Sequence, residues 1–185
     1  MPLENVVSVN DKGILCHELS KELPNHISVA DVDVQIRRER IKIPNGMFLH
    51  QYANLYFDVR NPMLYKLKDK NDSIAILLVS IDVLNLPNVV VSDMNAAKYM
   101  AAYYNVEMGL DKISFDKVFQ RDWNAEDPLE YDKLKGIKCA EVLVPKFVDR
   151  KYISRYIVYN SNAKQQLIKQ GISESDIVID RDLFF

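Results

Sequence analysis

The segment HQYANLYFDVRNPMLY, His50 to Tyr65, sets the reading of the fold. Tyr52, Tyr56, Phe57 and Tyr65 put four aromatic rings in it, together with Arg60, a Pro62-Met63 step and no glycine. Leu49 to Phe57 reads as extended chain, because aromatic residues with Leu55 suit a pleated, half-buried surface. The proline step then makes a stiff turn, which is expected to hold Arg60 and Met63 close to Tyr52 and Tyr56. Rings beside a fixed guanidinium suit flat, anionic ligands such as nucleotides. The plainer alternative is an aromatic core strand with an ordinary turn after it, and composition alone favours that one.

Outward from this segment, 185 residues make one domain, or one with small additions. Hydrophobic residues are 48% and charged residues 27%, enough apolar mass for a core. A formal net charge of −2 and a pI of about 5.9 argue against bulk wrapping of duplex nucleic acid. A local basic groove stays open, with Arg37, Arg38, Arg40 and Lys42 in one cluster and Lys66, Lys68 and Lys70 in another. Two cysteines, Cys16 and Cys139, are too few for a disulfide scaffold, which makes a reduced, cytoplasmic setting the expectation. Three scattered histidines give no metal-ligand spacing. Met1 to Asn10 has no signal-peptide pattern, and no apolar run approaches the roughly 20 residues that span a bilayer.

Along the chain, Glu4 to Asp11 predicts a short helix stopped by Gly13, and Leu23 to Val34 an irregular stretch. Ser73 to Ser80, branched and apolar, predicts a central strand, and Asn88 to Val91 a second short one. Asp93 is a plausible N-cap, and the alanines after it predict a helix to about Glu107. Ser114 caps a helical turn through Phe119. Arg121 to Lys135, polar and interrupted by Pro128, reads as a long loop, and such loops are more often functional than idle. Strands follow at Cys139–Val144 and Tyr156–Tyr159, then a helix at Ser161–Gln170 and a last strand at Ile177–Ile179. Strands and helices that do not alternate regularly predict an α+β fold.

Glu141 carries the strongest chemical signal. It sits within Cys-Ala-Glu-Val-Leu-Val, on the strand face shared by Cys139 and Leu143. A carboxylate among apolar neighbours needs hydrogen bonds or a cation to stay ionised. Such a glutamate can orient a substrate group, act as a base or stabilise a developing cation. The alternative is a solvent-facing glutamate on an edge strand. Arg37 or Arg38 can grip a diphosphate in bidentate fashion, or else lie on a solvated face. Glycine-rich phosphate loops are absent. Cys139 suits core packing better than nucleophilic attack.

These pieces, in this order, resemble the DarT family of single-stranded DNA ADP-ribosyltransferase toxins. Glu4-Asn5-Val6 with Gly13-Ile14-Leu15 resembles that family's first helix and turn, and Gln35-Ile36-Arg37-Arg38 its arginine motif. His50 to Tyr65 resembles its most distinctive block. Ser92 to Ala97 is similar to a later helix-start element, in which Asn95 stands where some members carry histidine. Asp122-Trp123, a polar loop and Ala140 to Pro145 resemble the catalytic-glutamate strand and its approach.

The resemblance implies an ADP-ribosyltransferase-like fold in which two small mixed or antiparallel sheets, with flanking helices, enclose an NAD cleft. It implies transfer of ADP-ribose from NAD, as substrate and without a metal, to thymine or guanine in single-stranded DNA. Glu141 and Arg38 would be catalytic. Asn5, Arg37, Tyr52 and Tyr56 would hold NAD, and Arg60, Met63, Asn95 and Trp123 would meet DNA. A macrodomain-type antitoxin is the implied partner of such a toxin. The family opens with a strand bearing His-any-Thr, whereas this chain starts at Met1-Pro2-Leu3-Glu4-Asn5, so it is expected to be N-terminally short. A nucleic-acid or partner-binding module with impaired NAD binding is one alternative reading. An enzyme that modifies RNA or protein is another.

Overall fold

A computed structural model describes all residues, Met1 to Phe185. Eight α-helices and nine strands follow one another with short 3-10 turns between them. They are α1 (Val6–Lys12), β1 (Ile14–Leu15), α2 (His17–Ser20), α3 (Val32–Glu39), β2 (Tyr52–Tyr56), α4 (Pro62–Tyr65), β3 (Ala75–Val79), β4 (Val90–Ser92) and β5 (Tyr103–Asn105). Then come α5 (Val106–Gly109), α6 (Phe115–Val118), α7 (Pro128–Ile137), β6 (Glu141–Pro145), β7 (Phe147–Val148), β8 (Ile153–Val158), α8 (Ser161–Lys169) and β9 (Ile177–Ile179). The α+β expectation holds.

Two sheets carry the architecture. One has four antiparallel strands in the order β2-β6-β4-β5. The other has the order β3-β8-β9, with β8 and β9 parallel. A third element, the β1–β7 pair, spans two residues per strand. β6 therefore lies inside its sheet, flanked on both sides. The apolar run Ser73–Ser80 forms β3, an edge strand rather than the expected central one: β8 is the one strand that pairs with it, and on its other side Met1 and Pro2 bridge only to Ile74 and Ala75.

Each sheet buries its own core. Ala53, Val91, Val142 and Val144 on one face of the four-stranded sheet pack with Val118 and Ile137 from α6 and α7. Ala75, Tyr156, Val158 and Ile177 of the three-stranded sheet pack with Val6 and Val9 of α1 and with Ala163 and Leu167 of α8. Ala163 and Leu167 lie four apart, on one helical face. Asn160 starts α8 by accepting the Ala163 N–H at 2.9 Å. A smaller cluster joins Leu143 to Ile43, Leu49, Tyr52 and Ala96. Pleating thus sends Val142 and Val144 to one core and Glu141 and Leu143 toward the other side. Gly13 links α1 to β1 with φ +76°, and an added Cβ there would sit 2.1 Å from the Val148 carbonyl oxygen. Only glycine fits.

Two expected elements fold differently. The helix expected from Asp93 to Glu107 is a turn followed by β5 and the short α5. Asp93 accepts from the Ala102 N–H at 3.0 Å and closes a hairpin loop instead of capping a helix. The loop expected over Arg121–Lys135 contains α7. Asp127 accepts from the Leu129 and Glu130 N–H groups, and Pro128 sits in the first turn, where its missing N–H costs nothing.

Candidate active site

β6 places Glu141 opposite Tyr56 of β2 and Ser92 of β4. Its side chain is 0% exposed, which rules out the solvent-facing alternative. Three donors hold the carboxylate. Arg38 Nη1 and Nη2 donate to Oε1 and Oε2, each at 3.0 Å, and the Ala96 N–H donates to Oε1 at 3.0 Å. The fork-to-fork geometry fixes orientation as well as charge. Burial opposes the Arg38 charge. The charge and hydrogen bonds of Glu141 outweigh it, so the guanidinium titrates above its usual value.

Arg38 comes from α3, which Asp31 starts by accepting from Val34 N–H at 3.0 Å. The rest of this helix is largely exposed, and among its residues Arg38 alone is buried. Arg37 is exposed beside it. Tyr56 lies next to the ion pair. Burial above all, and then the Glu141 charge, push its hydroxyl well above the usual phenol range, so it stays a neutral donor. Tyr103 donates to the Ala96 carbonyl at 2.6 Å and braces the turn that presents the Ala96 N–H. The Cys139 thiol is pushed up to about 12, by burial first and then by Glu141, so it remains an unreactive thiol as its apolar setting suggested.

A cavity of about 1320 Å³ opens in front of this pair. Arg37, Arg38, Tyr56, Met63 and Asn95 line it, while Glu141 lies behind Arg38 and Tyr56 and does not face it. A cavity of this size exceeds what most small-molecule ligands fill. No cluster of His, Cys, Asp or Glu able to hold a metal ion is present.

The other sequence-selected residues divide. Asn5 borders the cavity, but its side-chain amide is committed: Oδ1 accepts from the Ile27 N–H at 3.0 Å and Nδ2 donates to the Ile27 carbonyl at 2.8 Å. It clamps the loop before α3. Tyr52 is 3% exposed within the Leu143 cluster, and its hydroxyl accepts from the Met47 N–H at 3.2 Å. Tyr52 also borders the cavity, while its ring packs as the core-strand alternative expects. Asn95 accepts from the Ala97 N–H at 2.9 Å and so shapes the turn that ends at Ala96.

Arg60 and Trp123 sit apart, in a separate cavity of about 320 Å³ that also includes Tyr65 and Phe185. The expected proximity of Arg60 to Tyr56 is not what the chain does. Arg60 Nη1 donates to the carbonyls of Asp182, at 2.9 Å, and Phe184, and the guanidinium lies 4.2 Å from the Phe185 ring centre. The Asn61 side chain turns the chain away, its Nδ2 donating to the Asp58 carbonyl at 2.8 Å while its Oδ1 caps α4.

Sequence reasoning missed the histidine pair behind α3. The His17 and His50 rings lie 4.2 Å apart, and His50 Nε2 meets Gln35 Oε1 at 3.1 Å, one turn before Arg38. Burial first, then His50, Lys21, His26 and Arg38, lower His17 from 6.5 to about 4. His50 is lowered too, by burial and then by Arg38 and Lys21, with Glu39 and Glu18 opposing. Because the folded-state value lies below the unfolded one, the unfolded chain binds more protons between these pH values. Stability is therefore full above about pH 6.5 and falls as pH drops toward 4. His17→Gln is expected to flatten that fall. Thermal melts of both proteins at pH 7.5, 6 and 5 check it, and parallel losses would refute it.

At 30% identity the chain is similar to a protein of Thermosipho africanus (strain H17ap60334) described as a DNA ADP-ribosyl transferase-DNA ADP-ribosyl glycohydrolase fusion protein. That match covers 99% of this chain and 47% of the fusion protein, so the chain spans about half the length of that relative. A Thermus sp. (strain 2.9) protein described as DNA ADP-ribosyl transferase is 27% identical over 90% of this chain and 82% of its own. Among solved structures, Thermosipho africanus DarTG in complex with ADP-ribose superposes with a TM-score of 0.86 at 28% identity, covering 100% of this chain and 49% of that one. The family model described as "ssDNA thymidine ADP-ribosyltransferase, DarT" matches residues 1–185. The buried pair of Arg38, at the cavity, and Glu141, behind it, thus falls within a match that runs from end to end: the chain belongs to the DarT family.

Proposed function

We propose that this chain transfers ADP-ribose from NAD to thymine in single-stranded DNA. The observation that carries the reading is the buried Arg38–Glu141 pair at the head of a large cavity, within a chain matched from end to end by the family model. In this reaction the bond between nicotinamide and ribose breaks and nicotinamide leaves. A base atom then bonds to the same ribose carbon and gives up its proton. Glu141 stabilises the cationic ribose and accepts that proton. Arg38 fronts the cavity and offers the diphosphate the same planar fork it now gives Glu141, so shifting toward phosphate frees carboxylate lone pairs as substrate arrives. Tyr56, held neutral, donates to bound substrate. Arg37, exposed at the cavity, adds phosphate contact. Met63 and Asn95 line the wall where the acceptor base enters. Asn5 acts indirectly, through the loop it clamps.

We also infer that residues 1–185 work as one catalytic unit and that a macrodomain-type hydrolase reverses the modification in a toxin–antitoxin pair. Fusion of a transferase to a DNA ADP-ribosyl glycohydrolase in the Thermosipho relative supports that pairing. No helix is long and apolar enough to cross a membrane.

Incubation with labelled NAD and homopolymeric oligonucleotides, RNA and a protein mixture tests the reading. Label on thymine-containing single-stranded DNA alone is expected. Label only on RNA or protein would replace DNA as acceptor, and no label on any acceptor would sink the proposal.

A further inference from the structure

Lys138 is 1% exposed, and neither the proposed chemistry nor the cavity uses it. An ammonium has three N–H donors, and each here has one acceptor. Lys138 Nζ donates to Asp58 Oδ2 at 2.5 Å, to the Val118 carbonyl at 2.7 Å and to the Gln120 carbonyl at 2.6 Å. These acceptors lie on two separate segments. Val118 ends α6, and Gln120 opens the stretch that leads to Trp123. Asp58 follows β2 and accepts the Arg60 N–H at 3.1 Å, at the base of the turn that carries Asn61 and Met63. Lys138 itself follows α7, three residues before Glu141.

One buried cation therefore joins the segment bearing Trp123, the turn bearing Arg60 and Met63, and the strand bearing Glu141. Two of its acceptors are backbone carbonyls at the end of a short helix, which have no other partner in that helix. Apolar packing of Val118, Phe57 and Ala140 also brings these segments together, but Lys138 is the polar group bonded to the first two, and Trp123 meets the Arg60 region through rings, with Tyr65 and Phe185 at 5.8 and 6.0 Å.

We propose that Lys138 is a positioning residue that fixes the Gln120–Trp123 segment, and the separate cavity it walls, relative to the strand bearing Glu141, and so governs how acceptor DNA is held rather than how NAD is bound. This rests on the function proposed above. A methionine at 138 keeps the apolar stem but releases both carbonyls. Arginine is a poor substitute, because a planar fork does not reach three acceptors placed around a point charge.

Trp123 is the chain's one tryptophan, so its emission reports the wall directly. Lys138→Met is expected to red-shift Trp123 emission and increase its quenching by acrylamide while the far-ultraviolet signal stays native. With oligonucleotide as acceptor, KM for DNA is expected to rise about tenfold or more, with the Kd for NAD within about twofold of wild type. Asp58→Asn/Lys138→Met leaves no lone buried charge and is expected to behave the same way, which covers misfolding of the single variant. Native emission in a folded variant, or equal losses toward DNA and NAD, would overturn the proposal. Failure of both variants to fold would overturn it in favour of a purely structural role. If wild type transfers nothing to DNA, the functional reading fails, while Trp123 emission still decides whether Lys138 holds the wall.

Discussion

Glu141→Gln is expected to lower the rate of ADP-ribose transfer by roughly 10³-fold, the scale seen when one group that stabilises developing charge or moves a proton is removed. Glutamine keeps the shape of the side chain and can still accept from the Ala96 N–H, the contact now made at 3.0 Å by Oε1. What it loses is the negative charge and the ability to take a proton. Arg38 remains in front of the cavity, so NAD binding should change much less than turnover. Single-turnover transfer to oligonucleotide, measured beside NAD binding, separates the two. A glutamine variant within tenfold of wild type would show that Glu141 is a structural anchor only.

The second large effect is on stability. Removing one member of a buried ion pair leaves the other charge uncompensated, at a cost of about 3–5 kcal/mol. Arg38 and Glu141 are 4% and 0% exposed, so water cannot make good the loss. Arg38→Met and Glu141→Gln alone should each lower Tm by about 10 °C. Together they leave no lone charge, and the double variant should melt above either single one. Denaturant unfolding of all four proteins closes the cycle. Additive losses would mean that the pair contributes nothing as a pair.

The sequence made parts of this site legible. The apolar neighbours Ala140, Val142, Leu143 and Val144 raised burial of Glu141 as one of two readings, and the interior position of β6 decided it against the solvent-facing one. The identity of its partner could not be read from them. Arg37, Arg38 and Arg40 are equivalent by composition, and only the pose of α3 against β6 turns Arg38 inward. The basic run stood out by its charge, and resemblance to a family singled out Arg38 within it.

The misread elements have local causes. Ala96, Ala97, Ala101 and Ala102 favour helix, but the Glu141 carboxylate and Tyr103 hydroxyl bind the backbone of Ala96 and hold it in a turn. Tertiary contacts overrode propensity there. For α7 the signal was present: Asp127-Pro128 is an N-cap followed by proline at the first turn, and the polar surface of the helix hid it. Lys138 gave no signal at all. A lysine after a helix is ordinary, and nothing local says that its amine ends beneath three converging segments.

The interior position of β6 separates two timescales. Its amides are bonded across to β2 and β4, so exchange of Val142 and Leu143 with deuterated solvent requires the whole sheet to open. The 93–102 turn is anchored at its base by the Ala96 N–H on Glu141 and the Asn95 N–H on the Gly136 carbonyl of α7, while its outer part meets α7 through the exposed Lys98–Asp132 pair, and such pairs hold weakly. That outer part, where Tyr99 and Met100 are exposed, can open in microseconds to milliseconds while the floor beneath it persists for the lifetime of the fold. Under the proposed function, a strand of DNA would thus meet a rim that has relaxed many times and a carboxylate backbone that has not moved.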